Sequence, residues 1–166
     1  ENTHITSLRN GVCHYLGVDF KVRKNTKEQF KPLWVVKKGN TSTRQKFAPR
    51  LILMASIMKL LEKLLERGSV KRSSLVEFFP KGKQGLLQLP HPLILNYFNS
   101  RIRGVLNYYS CVHNRNSLWT IVRFFKYSCA LTFAKKFKLR TLAKTFKKFG
   151  PELKFVNDKG NVYKIF

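Results

Sequence analysis

The sequence predicts an α+β chain, predominantly α-helical, in which a small N-terminal β element precedes a bundle of three or four helices and a short β-hairpin closes the chain. Three observations predict it. Aromatic and β-branched residues mix with polar ones near the start, at residues 12–22 and 33–36. Apolar residues recur at helical spacing in several stretches between residues 48 and 149. The tail is interrupted by the turn-forming run Asn157-Asp158-Lys159-Gly160.

Val12 to Val22 (VCHYLGVDFKV) reads as strand, with Gly17 marking a bulge, and Leu33 to Val36 reads as a second short strand. Lys37 to Gln45 (KKGNTSTRQ) reads as a polar linker. Residues 48–67 predict a helix with Leu53, Ile57, Leu60, Leu61, Leu64 and Leu65 on its apolar side and Glu62 and Glu66 on its polar side. Arg67-Gly68 is its stop, since glycine accepts the left-handed conformation past a last turn. Residues 69–90, punctuated by Pro80, Gly82, Gly85 and Pro90, form a long connection holding one short helix or strand around Leu75 to Phe79. The next helix spans 92–112, with Pro92 in its first turn and Leu95, Phe98, Ile102, Val105, Leu106 and Tyr109 on one face. Gly104 interrupts it at a cost of about 1 kcal/mol against alanine. Either another helix or backbone approaches closely there, or the glycine is merely tolerated.

His113 to Ser117 is a polar break, with Asn116 or Ser117 as the cap of the following helix. That helix runs from Leu118 to about Lys136 and turns Leu118, Ile121, Val122, Phe125, Cys129 and Thr132 inward. The last helix ends near Phe149, at Gly150-Pro151, with Leu139, Leu142, Ala143, Phe146 and Phe149 as its apolar seam. If this helix is continuous, Lys136, Arg140, Lys144 and Lys148 form one basic ridge. If Thr141 caps a fresh helix, the ridge is split.

Charge narrows the function. The chain has 166 residues, 43% hydrophobic and 13% aromatic, which is enough for a packed core and unlike a disordered basic tail. Lys plus Arg number 33 against 8 acids, a formal net charge of +25. A folded domain so charged repels itself, and its natural neutraliser is a polyanion. Nucleic acid comes first, an anionic membrane surface second; solubility alone needs far less charge. Between Glu77 and Glu152 there is no acidic residue but there are 14 Lys or Arg. Such a one-signed window gains nothing from its own neighbours and suits a partner that supplies phosphates.

The residues for catalysis are missing. Asp19 and Asp158 stand far apart, so no clustered carboxylates exist to hold metal ions for phosphoryl chemistry. Cys13, Cys111 and Cys129 make no CxxC pair and read as free buried thiols; His4, His14, His91 and His113 lack metal-ligand spacing and read as surface or packing residues. Neither a P-loop nor a nucleophile turn is present. No enzyme activity, metal, cofactor or small-molecule substrate is expected. The longest apolar run, Leu51 to Met58, is too short for a bilayer and is followed by Lys59 and Glu62, and no signal peptide is seen. The first residue is Glu1 rather than Met, which reads as a processed product or a partial stretch of a longer protein.

Three segments carry a family resemblance. Arg103-Gly104-Val105-Leu106-Asn107-Tyr108-Tyr109, within the run from Tyr97, looks like the "RGxxNYY" segment of the group II intron maturase domain, domain X. Ser128 to Lys138 (SCALTFAKKFK) resembles the family's "SxAxTLAxKxK" segment, and Phe146-Lys147-Lys148-Phe149-Gly150 its closing "FKKF/YG". Upstream, His14 to Phe20 is similar to the "FLGY/F" strand that ends the reverse transcriptase palm, with Tyr15 where the family often has Phe, and Ala48 to Gly68 is similar to the first thumb helix. The resemblance covers most of residues 12–150 and implies three parts: residues 1–45, the end of a palm-like β element and a linker; residues 46–150, the thumb and domain X bundle; and residues 151–166, a hairpin or tail. The family's "YxDD" polymerase motif and its H-N-H endonuclease lie outside this chain, so neither reaction carries over.

What the resemblance implies is non-catalytic binding of structured RNA, as in group II intron splicing. The alternative is a maturase-derived structural protein bound to ribosomal RNA in an organellar ribonucleoprotein, beside other proteins. A reverse transcriptase subunit completed by a separate palm polypeptide is a third setting. Residence is expected in mitochondria, with plastids second. The residues expected at the RNA are Arg103, Asn107, Arg115, Arg123, Lys126, Lys135, Lys136, Lys138, Arg140, Lys144, Lys147 and Lys148, which suit phosphates. Tyr108 and Trp119 either stack on unpaired bases or pack in the core, Tyr127 is a further stacking candidate, and Tyr109 is assigned to the core.

Overall fold

A computed structural model describes residues 7–8, 11–22, 34–36, 42–44, 51–73, 77–157 and 160–166. The chain divides into two compact units, residues 1–54 and 55–166. The described residues are mixed α and β, with four α-helices between N-terminal strands and a C-terminal hairpin, as the sequence predicts.

In the first unit, Cys13–Tyr15 (β1) and Val18–Val22 (β2) pair antiparallel with Tyr15 opposite Val18. Leu16 and Gly17 alone make the turn, with φ of 49° and 80°, the left-handed pair of a two-residue hairpin. Gly17 is thus the corner of a hairpin, not a bulge. Trp34–Val36 (β3) is a strand as expected, and it pairs with Ser42–Arg44 (β4). That second strand lies inside the stretch read as linker, because Ser-Thr-Arg offers no apolar alternation. Leu51–Ala55 (β5) takes the free edge of β2. Helical spacing over residues 48–67 predicts helix for these residues, and they form a strand instead. Five consecutive apolar residues carry no period of their own, and here pairing with β2 decides their conformation. Residues 48–50 lie outside the described set.

The second unit holds the helices. Ile57–Glu66 (α1) buries Leu60, Leu61 and Leu64. Val70–Arg72 (β6) and Phe78–Pro80 (β7) form a hairpin, so the short element expected near Phe79 is its second strand. Then come His91–Tyr108 (α2), Leu118–Lys136 (α3) and Leu142–Phe149 (α4), and Phe155–Val156 (β8) pairs with Val162–Tyr163 (β9). Ile94, Leu95, Phe98 and Ile102 of α2 and Leu118, Ile121, Cys129, Ala130 and Phe133 of α3 are 0% exposed and form the core. Each large apolar side chain so buried contributes about 1.5–3 kcal/mol relative to exposure. All six residues expected to face inward on α3 are buried. On α2 the stripe weakens after Ile102: Val105 and Leu106 are half-buried.

The close approach looked for at Gly104 occurs elsewhere. Gly104 is exposed, with open space where a Cβ would stand. At Gly82 a Cβ would lie 2.9 Å from the carbonyl carbon of Leu131 and 3.0 Å from the nitrogen of Thr132. The connection after β7 therefore rests directly on the backbone of α3. It is fastened on both sides: the Ser128 hydroxyl donates to the Lys81 carbonyl at 2.6 Å, and the Lys83 N–H donates to Thr132 Oγ1 at 3.0 Å.

Of the two expected caps of α3, Ser117 holds the N-cap position, but without a side-chain bond. Asn114 instead bridges to Ala55, accepting its N–H at 2.8 Å and donating to its carbonyl at 2.9 Å. Between α3 and α4 the chain breaks. Thr141 Oγ1 accepts the Lys144 N–H at 3.3 Å and caps α4, so the single basic ridge does not form. Lys138 and Arg140 take left-handed φ of 54° and 65° on either side of Leu139. On α4 the seam is shifted: Ala143 is exposed, whereas Thr145 is fully buried with its hydroxyl donating to the Thr141 carbonyl at 3.0 Å. The tail folds back through Leu153 and Ile165, both buried, and Asn99 of α2 holds it by donating to the Lys164 carbonyl and accepting the Phe166 N–H.

Candidate nucleic-acid interface

Burial of one stripe of α3 leaves Trp119, Arg123, Lys126 and Tyr127 on the opposite side, spaced four, three and one residues apart. With Phe146 of α4, Pro151 and Phe166 they line a groove of about 430 Å³. The Arg123 guanidinium lies 5.5 Å above the Tyr127 ring, and Tyr127 meets Phe146 edge-on at 6.0 Å. Trp119 is 56% exposed and runs parallel to Phe166, with centroids 6.4 Å apart. Aromatic faces beside two cations suit an unpaired base and its phosphate. A second groove of about 510 Å³ opens beyond Arg123 and Tyr127, walled by Phe78, Phe79, Pro80, Phe124, Leu131 and Leu142. Sequence reasoning did not find it, because its walls come from a hairpin and two helices.

The other expected residues are spread over the unit. Arg103, Asn107 and Tyr108 are exposed on the last two turns of α2, and Arg115 is exposed in the turn before α3. None of them lines the α3–α4 groove. Tyr108 is 55% exposed and meets Tyr109 edge-on; Tyr109 is buried, as assigned. Lys135, Lys138, Arg140, Lys144 and Lys147 are exposed. Lys148 lies over the rings of Phe137 and Phe149, at 5.3 and 5.5 Å. Lys136 departs from the expected outward ridge: its ammonium donates to the carbonyls of Leu87 (3.1 Å) and Leu89, tying α3 to the connection before α2.

Among the described residues, none of the 14 Lys and Arg between Glu77 and Glu152 has a carboxylate partner. The described contacts of acidic with basic side chains lie outside that window: a hydrogen bond between His14 and Asp19, and ion pairs from Glu152 to Lys154 (3.3 Å) and Lys164 (3.7 Å). The Lys154 hydrogen bond, with the charges of Lys164 and Lys154, holds the Glu152 carboxyl below its usual pKa. No group of three His, Cys, Asp or Glu side chains gathers among the described residues. Of the three free cysteines only Cys129 is buried, and burial pushes its thiol pKa up; Cys111 is exposed, against the expectation of buried thiols. No described helix is long and apolar enough to cross a membrane.

One histidine is a packing residue of an unusual kind. His91 is 6% exposed and sits among Phe133, Phe149, Phe155 and Phe137, with ring centroids 4.1 to 5.8 Å away. Its Nε2 has no hydrogen-bond partner. Burial, aided by the charge of Lys136 and opposed by a backbone hydrogen bond at Leu153, lowers its pKa to about 4. Sequence reasoning also missed a group of cations around Lys81-Gly82-Lys83-Gln84-Gly85, where Arg67 and Tyr97 meet the loop. The alternation of lysine and glycine in that loop was the available signal.

The second unit thus covers its apolar core and turns cations without a described carboxylate partner outward, a surface that suits a polyanion. The chain belongs to the type II intron maturase family, whose model matches residues 48–164. It is 34% identical over 150 residues to the putative COX1/OXI3 intron 2 protein of Saccharomyces cerevisiae and 30% identical over 162 residues to the putative COX1/OXI3 intron 1 protein of the same yeast. Similarity extends to the group II intron-encoded protein LtrA of Lactococcus lactis, at 26% over 137 residues. These matches take in 90%, 96% and 82% of this chain but 17%, 19% and 22% of the three relatives. The chain therefore spans about a fifth of their length, the maturase region.

Proposed function

We propose that this chain binds structured group II intron RNA and stabilises its splicing-competent fold without supplying chemistry of its own. The observation that carries the reading is the set of 14 cations between Glu77 and Glu152, without carboxylate partners among the described residues, on and around helices fixed by a buried core. Arg123 and Lys126 take phosphates at the α3–α4 groove, and Trp119 stacks on an unpaired base. Arg103, Asn107, Tyr108 and Arg115 extend the surface along α2, and Lys135, Lys138, Arg140, Lys144, Lys147 and Lys148 extend it around α4. Lys136 acts from behind, by holding the chain before α2 in place. Family membership and relatives named for introns support an intron RNA as the partner. Mitochondrial residence is supported by a relative from Marchantia polymorpha, 32% identical over 104 residues and named a mitochondrial protein.

Titration of the chain against group II intron RNA over a range of salt concentrations tests this. Log affinity should fall linearly with log salt, by roughly 0.7–0.9 for each phosphate contacted. Trp119→Ala should lose about 1–3 kcal/mol with RNA carrying unpaired bases and little with plain duplex. Failure to bind folded RNA at low ionic strength would reject the reading. Recovery of ribosomal RNA by crosslinking from cells would move the chain to a different particle.

A further inference from the structure

On another part of the second unit, the chain between β7 and α2 curls into a cup. Its wall runs through Lys81, Gly82, Lys83 and Gly85 and is completed by Arg67 and by Tyr97 of α2, enclosing about 380 Å³. The cup is rigid from behind. Gly82 touches the α3 backbone, Lys81 N–H donates to the Ser69 carbonyl at 2.9 Å, and Ser128 and Thr132 fasten the flanking residues. The interior is positive. Lys83 Nζ donates to the Tyr97 hydroxyl at 2.8 Å, and the Arg101 guanidinium lies 5.1 Å from the centre of the same ring. Among the described residues, Arg67, Lys81, Lys83 and Arg101 have no carboxylate partner.

Gathering cations in this way is unfavourable until an anion enters. The Tyr97 oxygen already accepts from Lys83, which leaves the phenolic proton available to an oxygen acceptor. Burial raises the Tyr97 pKa, but the Lys83 hydrogen bond and the charges of Lys83 and Arg101 outweigh it and bring the net value below 10.0. Gly85 has open space on its side-chain side, so the main chain can approach a ligand closely.

We propose that this cup seats one backbone phosphate of the bound RNA, with Arg67, Lys81 and Lys83 around its oxygens and Tyr97 donating a further hydrogen bond. The inference rests on the RNA-binding reading and makes it specific. The lysines of α4 follow any polyanion, whereas the cup holds a single phosphate in a fixed register.

The test uses the full 166-residue chain and a group II intron RNA. Arg67 and Lys81 are exposed and neither stacks on Tyr97, so the double variant Arg67→Gln/Lys81→Gln should keep its thermal midpoint. Its affinity near 0.1 M salt should fall roughly tenfold, and the slope of log affinity against log salt should drop by about 0.7–0.9, the loss of one phosphate contact. Tyr97→Phe should weaken binding by a smaller factor. A methylphosphonate scan of the RNA should find one position that weakens the unmodified chain and has no further effect on the double variant. Unchanged affinity and slope in the double variant, with the parent still binding, overturn the cup and leave the RNA reading standing. If the parent itself ignores the RNA, both fall. If the substitutions abolish binding to phosphatidylglycerol vesicles and spare RNA, the anion is a lipid headgroup and the proposal fails.

Discussion

The stretch from Lys81 to Pro90 and the helix α4 both place lysines on the second unit, and they hold them differently. In the first, cations are tied into the fold: Lys83 reaches the Tyr97 hydroxyl, and Lys136 reaches down from α3 to the carbonyls of Leu87 and Leu89. On α4, Lys144 and Lys147 stand in solvent. The difference lies in geometry rather than composition. Lys136, bound to two carbonyls, stiffens the protein; Lys83, bound to one phenol, is positioned and keeps donors for an anion; the side chains of Lys144 and Lys147 on α4 are held by no described hydrogen bond or ion pair.

The largest test of this contrast is at His91, where the connection enters α2. Its folded-state pKa near 4 lies below its ordinary 6.5. Between those values the unfolded chain takes up a proton that the folded one refuses. Stability is therefore whole above about pH 6.5 and falls as the pH drops toward 4, by about 3 kcal/mol at the lower limit. Thermal unfolding at pH 7 and pH 4.5 reads this, and in His91→Leu the histidine-specific share of the fall should vanish. A persistent fall of the same size in that variant would assign the acid sensitivity elsewhere.

Next come two glycines. Gly82→Ala forces a methyl against the backbone of α3 and should destabilise by about 1–3 kcal/mol in urea titration. Gly104→Ala enters open space in a helix and should stabilise by up to about 1 kcal/mol. Sharpest for the comparison is a lysine exchange. Lys136→Met removes a charged donor from two carbonyls and should cost about 1.5 kcal/mol of stability. Lys144→Met/Lys147→Met should change stability by no more than about 0.5 kcal/mol and lower the salt slope of RNA binding instead. The comparison breaks if Lys136→Met proves neutral in urea titration.

Much of the second unit was legible in the sequence. α2 and α3 run for five turns, so their buried stripes repeat often enough to declare themselves, down to the outward Arg123 and Lys126 that line one groove; Trp119, left open between core and surface, lies beside them. The short strands were not. Ser42–Arg44 is a strand through pairing alone, and Leu51–Met54 is apolar at every position, which fits helix and strand equally. The fate of Lys136 was hidden because its partners are main-chain oxygens 47 and 49 residues away. The cup escaped for the same reason, since Arg67, the Lys81–Gly85 loop and Tyr97 meet only once the chain is folded.

The corner between α3 and α4 has a consequence of its own. Lys138 and Arg140 occupy backbone conformations that glycine or asparagine adopts with little strain and that cost other residues about 1 kcal/mol each. At this bend the demands of the main chain and of the surface pull apart, and the surface has prevailed. Selection in the laboratory for heat resistance alone would be drawn to these two positions first, and every gain made there would strip a charge from the edge of the molecule.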